Sequence, residues 1–147
     1  MWSRTYSQIV TGVSADRLWQ AWADVDRWSA WQDDIEYARL AGPFAVGTTF
    51  ELKPKGAPRV RIELVDVQPR RAFVDRTRFP LAQMYGTHEF IPQGDGLEVR
   101  TTMSVRGQLA FLWARLVARG IVDGLAAQTA SLVAYARALP EAPQASA

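Results

Sequence analysis

The hydrophobic positions near the end of the chain predict one long amphipathic helix over residues 108–139. Apolar side chains recur there at steps of three and four, which is the spacing of a single helix face. The residues of this stripe are Leu109, Leu112, Leu116, Ile121, Leu125, Leu132, Ala136 and Leu139. At about 1.5 Å per residue the helix would be roughly 45 Å long, so a chain of 147 residues can cover it only with a curved sheet. Gly120 and Gly124, near its middle, predict a bend or a close approach of another segment.

Upstream of this helix, the alternation of apolar and polar residues predicts seven β-strands. They cover residues 4–11, 35–40, 48–52, 60–67, 73–79, 84–91 and 97–106. Two short helices, residues 15–23 and 25–31, are expected after the first strand, because Ser14 and Asp24 are residue types that cap helix N-termini. Residues 1–139 are expected to form one domain, and residues 140–147 are expected to be disordered.

The turns between the last three strands predict how these strands pair. A loop over residues 80–83 would place Asp75 opposite His88, and a turn at residues 93–96 would place His88 opposite Thr101. One sheet face is then apolar except for this polar row, and Gly86 adds space beside it. The apolar residues of that face are Phe73, Phe79, Met84, Phe90, Val99, Met103 and Val105. All of them except Val99 and Val105 are candidates to bind a ligand, together with the polar row.

Charge is distributed unevenly along the chain, although the net charge is only +2. Residues 52–119 contain twelve basic and six acidic residues, and a basic region of this kind can bind nucleic acid or phosphate. The predicted registers instead place acids opposite arginines on the outer face of the sheet, as a solvated face prefers. We therefore expect no nucleic-acid partner. The three predicted pairs are Glu51 with Arg61, Glu63 with Arg76, and Glu89 with Arg100.

The row of Asp75, His88 and Thr101 is the candidate chemical site. Burying a carboxylate is costly unless it is paired, and His88, the only histidine, can pair with Asp75. Two interpretations remain open. The row is either a polar anchor or acid/base pair at the wall of an apolar pocket, or a buried cluster that fixes strand register.

Several other residues are candidates to line such a pocket. Trp28 and Trp31 would lie at its mouth, and Trp113 with Phe111 would close one end. For these aromatic residues, packing in the core is the alternative interpretation. Gly120 would either leave room for a ligand or only permit a bend in the helix.

The residue inventory narrows the chemistry further. There are no cysteines and only one histidine, so disulfides, cysteine nucleophiles and transition-metal sites are not expected. The sequence shows neither a Gly-rich phosphate loop nor a nucleophile elbow. We expect no signal peptide and no membrane span, because no uncharged stretch approaches the roughly 20 residues that a span needs. These features fit a cytoplasmic protein that uses no cofactor.

Two stretches resemble the START/Bet v 1-like superfamily, also called SRPBCC. One is the run from Val13 to Trp31, similar to that family's strand-to-helix signature, V-W-x-x-x-x-D-x-x-x-W-x-x-W. The other, His88-Glu-Phe-Ile-Pro-Gln-Gly-Asp-Gly, followed by Val105-Arg-Gly and the long helix, is similar to the polyketide cyclase/dehydratase branch. The resemblance spans residues 4–138. It implies an α+β helix-grip (Bet v 1-like) fold, in which a curved antiparallel sheet wraps around a long C-terminal helix with two short N-terminal helices.

The leading functional hypothesis is binding of a small hydrophobic or aromatic molecule, lipid-like or polyketide-like, in an internal cavity of a monomer or homodimer. The second is a cofactor-independent polyketide cyclase/dehydratase in which His88 acts as general base and Asp75 orients it. The third is a protein-interaction module, which would need a large exposed apolar patch.

Overall fold

A computed structural model describes residues 1–140, and seven strands with a C-terminal run of helices make up most of them. The strands are β1 (Trp2–Val10), β2 (Ile35–Leu40), β3 (Thr49–Pro54), β4 (Val60–Gln68), β5 (Ala72–Phe79), β6 (Ala82–Gln93) and β7 (Gly96–Arg106). Between β1 and β2 lie α1 (Ala15–Ala23) and a 3-10 helix (Val25–Ala30). The Ser14 side chain accepts a hydrogen bond from the Arg17 N–H and so caps α1, as predicted. The predicted disordered tail, residues 140–147, lies outside the described residues except for Pro140.

The strands form one antiparallel sheet in the order β1-β7-β6-β5-β4-β3-β2. The sheet curves around the C-terminal helical run, and the short N-terminal helices pack beside it. The predicted helix-grip fold is therefore confirmed. None of the helices in residues 1–140 is long and apolar enough to cross a membrane.

The predicted register is confirmed between β6 and β7 but wrong between β5 and β6. His88 lies opposite Thr101, as expected. Across β5 and β6, however, Asp75 lies opposite Gly86, and His88 lies opposite Phe73. The connection is a tight turn with Leu81 at φ 56°, so β6 already begins at Ala82. The resulting shift of two residues keeps every side chain on its predicted face, because the side-chain period of a strand is two.

The predicted acid–arginine pairs lie on the outer face of the sheet. Arg76 and Glu63 are 2.7 Å apart, and Arg100 and Glu89 are 3.9 Å apart. Glu51 lies opposite Arg61 in the register, but its ion pair is with Arg59 at 3.8 Å. The hydrogen bonds of Arg76 to Glu63 and to Tyr85 raise the pKa of the guanidinium.

The C-terminal helix is interrupted, in contrast to the unbroken helix that the periodicity predicts. It comprises α2 (Ala110–Trp113), a π-helical turn (Ala114–Ala118), α3 (Arg119–Asp123) and α4 (Leu125–Ala138). Gly124 separates α3 from α4, so one of the two predicted glycines does lie at an irregularity.

The buried face of the first half of this run also differs from the predicted stripe. Ala110, Ala114 and Ala118 face the sheet, whereas Leu112 and Leu116 are exposed. Small side chains let the helix backbone approach β7 closely, and the π-helical turn contains an extra residue, which changes the face presented on either side of it. In α4 the prediction is confirmed, because its buried positions include Leu125, Leu132 and Ala136.

The buried residues form two clusters. The tryptophan cluster lies between the sheet and the helices α1, 3-10 and α4, and its largest members are Trp22, Trp28, Trp31, Phe50 and Phe73. The methionine cluster lies under α2 and the π-helical turn, and its members include Trp2, Met84, Met103, Val105 and Ala114.

Candidate functional site

Asp75 and His88 form a buried pair on the inner face of the sheet. His88 Nε2 lies 3.2 Å from Asp75 Oδ2, and the two side chains are only 9% and 14% exposed. They are diagonal neighbours rather than directly opposed, since Asp75 on β5 lies opposite Gly86 on β6. The contact that the sequence predicted is therefore present, although the predicted register between these strands is wrong.

Gly86 makes this diagonal pair possible. A Cβ atom at Gly86 would lie 2.9 Å from Asp75 Oδ1 and 3.1 Å from Oδ2. The carboxylate thus occupies the volume that any other side chain at position 86 would need. The space that the sequence predicts beside the polar row is filled by Asp75.

Two aromatic rings hold the His88 imidazole in place. Phe73 stacks on it with ring centres 4.4 Å apart and planes at 17°, and Trp22 lies 4.6 Å away at 50°. When Asp75 is ionised its oxygens can only accept, so His88 donates from Nε2, and in the neutral imidazole Nδ1 then carries a lone pair. That Nδ1 atom is buried and has no hydrogen-bond partner among the described residues.

Other buried polar atoms close to His88 also have no hydrogen-bond partner among residues 1–140. Trp22 Nε1 and Trp31 Nε1 are two of these donors, and the Trp22 and Trp31 ring centres lie 5.0 Å apart. Thr77 Oγ1, on the same face of β5 but four residues along the strand from the position opposite His88, is also unpartnered in this part of the chain. Buried polar groups in folded proteins are normally paired, so a concentration of unpaired ones requires an explanation.

Gln32 is a buried polar residue that sequence reasoning missed. It is buried directly after Trp31, its Oε1 accepts a hydrogen bond from Gln128 of α4 at 3.3 Å, and its Nε2 has no partner among the described residues. The sequence pattern contains no signal for this contact, because it joins segments 96 positions apart.

The other predicted site residues belong mostly to the two core clusters. Thr101 is buried opposite His88, while Phe90 and Trp28 lie in the tryptophan cluster. Met84 and Met103 lie in the methionine cluster. Trp28 and Trp31 therefore pack in the core, which is the alternative that the sequence left open for them.

Of the two residues predicted to close one end of the pocket, Trp113 connects α2 to the β5–β6 hairpin. Trp113 stacks on Phe79 at 4.5 Å, and its Nε1 donates to the Pro80 carbonyl at 2.9 Å. Phe111 projects outward and is exposed. Gly120 is also exposed, and a Cβ there would meet nothing within 4 Å, so it lies away from the Asp75–His88 pair.

Two surface grooves are present on the described part of the chain. One, of about 400 Å³, is lined by residues of the β5–β6 hairpin and the end of β7, including Arg78, Phe79 and Arg106. The other, of about 420 Å³, lies across β3, β4 and β5 and includes Arg59, Arg61 and Thr77. Asp75, His88 and Thr101 line neither groove.

Similar folds occur in solved structures of low sequence identity. Hypothetical protein jhp0584 from Helicobacter pylori has a TM-score of 0.74 at 17% identity, over 92% of this chain and 88% of that one. Ara h 8.0201 has a TM-score of 0.71 at 11% identity, over 92% and 98%. The di-domain ARO/CYC StfQ from the steffimycin biosynthetic pathway has a TM-score of 0.71 at 13% identity, over 91% of this chain and 50% of that protein. At these identities the likeness demonstrates the fold alone.

The family is identified from the sequence. No curated protein sequence matches the chain. A family model described as "Polyketide cyclase / dehydrase and lipid transport" matches residues 1–137, nearly the whole chain. That match agrees with the strand-to-helix signature around Trp19, Trp22, Trp28 and Trp31 and with the helix-grip fold. The chain therefore belongs to the polyketide cyclase/dehydrase and lipid transport family, within the START/Bet v 1-like superfamily.

Proposed function

We propose that this chain binds a small hydrophobic or aromatic molecule whose polar group forms a hydrogen bond with His88. The observation that carries the proposal is the buried Nδ1 atom, which has no partner within residues 1–140. Its ring is held by Asp75, Phe73 and Trp22. Leaving a buried donor or acceptor unpaired costs about 1–3 kcal/mol, so a ligand that pairs with Nδ1 regains that free energy on binding.

The neighbouring groups indicate the chemical class of the ligand. His88 Nδ1 offers a lone pair to a hydroxyl or N–H donor, whereas Trp22 Nε1 and Trp31 Nε1 offer donors to a carbonyl or hydroxyl oxygen. The rings around them supply apolar surface for stacking. A phenol or a hydroxylated carbonyl compound with an apolar body satisfies both requirements, and no cofactor is needed.

Binding at this place requires a local opening, because His88 is buried and its Nδ1 atom is inaccessible to solvent. Gly124 interrupts the C-terminal run directly before α4. The buried side chains of α4, among them Leu132 and Val133, cover the tryptophan cluster. Movement of α4 about Gly124 would expose that cluster, which includes the Trp22 and Phe73 rings against His88. Small rearrangements of this kind are common at ligand sites.

The test compares matched ligands on matched variants. A panel of one- to four-ring phenols is measured against the corresponding methyl-substituted compounds by calorimetry and thermal unfolding. His88→Phe keeps an aromatic ring but removes Nδ1, and Thr87→Ala, on the outer face beside it, serves as the control. We expect at least one phenol to raise the melting temperature and His88→Phe to weaken that phenol about tenfold, a loss of roughly 1.4 kcal/mol.

The methyl analogue should bind both variants alike, because it forms no hydrogen bond with position 88. Equal loss of phenol and methyl analogue would show that His88 acts only through packing. If no compound of the panel binds, the proposal is wrong.

A second candidate function is catalysis of cyclisation. The specific observation that favours it is the Asp75–His88 pair, since a carboxylate behind Nε2 orients the ring so that Nδ1 can accept a proton from an acidic C–H. Much of the remaining barrier to cyclisation is lowered by folding the substrate in the site. StfQ, similar in fold, is described as an ARO/CYC protein. With a linear poly-β-keto thioester, cyclase function predicts that His88→Ala retains binding and loses turnover, whereas simple binding predicts no turnover by the unmodified chain.

A further inference from the structure

Four large apolar side chains are exposed together where the C-terminal helical run begins. Leu81, Phe111, Leu112 and Leu116 are 62%, 72%, 45% and 64% exposed, and we call them the apolar tip. The β5–β6 hairpin and α2 are held together here. The Leu109 N–H donates to the Leu81 carbonyl at 3.1 Å, and Trp113 donates to the adjacent Pro80 carbonyl.

The hydrophobic effect alone would bury the larger apolar side chains of residues 110–118, and the observed orientation is the reverse. Its small residues, Ala110, Ala114 and Ala118, are buried, whereas its largest apolar residues point outward. Single exposed leucines are common on protein surfaces. Several grouped on one helical turn and one hairpin indicate a surface that another apolar phase covers.

The charged residues next to the apolar tip are arginines, and the first acidic residue after it along the helical run is Asp123 at the end of α3. Arg115 and Arg119 are exposed on the same helical segment, and Arg78 and Arg106 line the groove of about 400 Å³ beside Leu81. Residues 76–88 and 99–122 contain no Asp or Glu. Within residues 1–140 none of these four arginines forms a salt bridge.

We propose that the apolar tip docks on the surface of an anionic phospholipid membrane. The apolar side chains would enter the interface, as the apolar face of an interfacial helix does. The four surrounding guanidinium groups would contact lipid phosphates, for which arginine has a matching fork of donors. A second copy of this chain fits less well, since pairing two such tips would bring two sets of unpaired arginines together.

This inference does not depend on the ligand proposed for His88, because the apolar tip lies on the surface and His88 in the interior. Membrane docking can therefore be tested on the unliganded chain. Failure of vesicle binding would leave the His88 experiment unaffected.

The test is co-sedimentation of the full chain with large unilamellar vesicles of phosphatidylglycerol and phosphatidylcholine, compared with vesicles of phosphatidylcholine alone. We expect binding to the anionic vesicles that weakens as salt is added. Phe111→Ser/Leu116→Ser should lower the partition coefficient about tenfold or more. Ile9→Ser/Val46→Ser is the matched control and should leave it unchanged, because both residues are 63% exposed on other parts of the surface.

The contribution of charge is tested separately. Arg115→Gln/Arg119→Gln should lower the partition coefficient about tenfold or more, whereas Arg39→Gln/Arg71→Gln removes the same charge elsewhere and should have a smaller effect. Circular dichroism of each variant verifies its fold. Equal binding to both kinds of vesicle, or binding unaffected by Phe111→Ser/Leu116→Ser, would overturn the proposal. It would also be overturned by a dimer in analytical ultracentrifugation that the same variant dissociates, which would assign the tip to a second copy.

Discussion

Replacing Gly86 by alanine perturbs the Asp75–His88 pair without removing either partner. The new methyl carbon would lie 2.9 Å from Asp75 Oδ1, well inside the 3.4 Å at which ordinary contacts begin. Because the backbone at position 86 needs no positive φ, the conflict is confined to the Asp75 carboxylate. That short side chain must rotate away, which lengthens or breaks its 3.2 Å contact with His88.

The expected size of the effect follows from two opposing contributions. A hydrogen bond that involves a charged group stabilises a protein by about 1.5–3 kcal/mol. Alanine in place of glycine within a strand gains roughly 0.5–1 kcal/mol. The net loss in the free energy of unfolding is therefore about 0.5–2.5 kcal/mol, and for a chain of this length the melting temperature should fall by about 1–10 °C.

The assay is urea unfolding of Gly86→Ala in the natural chain and in an Asp75→Ala background. Without the carboxylate the added methyl group has room, so in that background Gly86→Ala should stabilise by roughly 0.5–1 kcal/mol. The change of sign between the two backgrounds is the diagnostic result. ¹⁵N NMR of the only histidine ring should show the Nε2–H tautomer in the natural chain and a mixture in Gly86→Ala. Equal destabilisation in both backgrounds would refute the reasoning.

Three further predictions concern the core and the outer face. Thr77→Val should stabilise the chain by about 1–3 kcal/mol in urea unfolding, because Oγ1 is buried without a described partner; destabilisation would reveal a bound partner. Ala114→Leu should destabilise by about 1–3 kcal/mol through overpacking, whereas exposed Leu116→Ala should change stability by less than about 0.5 kcal/mol; the reverse order would contradict the observed helix face. The Ser7 hydrogen bond is the main cause of the lowered pKa of Glu98. Because the pKa of Glu98 is lower in the folded chain than in the unfolded chain, its carboxylate stabilises the fold at pH values above the unfolded pKa. This stabilisation is lost as the pH falls through the folded pKa. Ser7→Ala should therefore be destabilising at about pH 7 and converge with the natural chain in acid. A pH-independent difference would show that Ser7 acts otherwise.

The sequence determined the strands, the short N-terminal helices and the face of the candidate site. Strand alternation, helix caps and the turn at residues 93–96 are local signals, so the strands, the capped helix α1 and the β6–β7 register could all be predicted. Asp75, His88 and Thr101 could be placed on one face even though the β5–β6 register was wrong. The reason is that a shift of two residues preserves the face of every side chain.

Only the tertiary structure decided how these elements meet. The β5–β6 register depends on the positive φ of Leu81. A leucine in the sequence does not predict a positive φ, which is typical of glycine or asparagine. Which face of residues 110–118 is buried depends on how closely the helix backbone approaches β7. Because that approach is close, alanines rather than leucines occupy the buried face. The contacts of His88 with Trp22 and of Gln32 with Gln128 join distant parts of the chain. Such contacts have no local pattern, since their free energy arises only when the sheet and the helices have packed together.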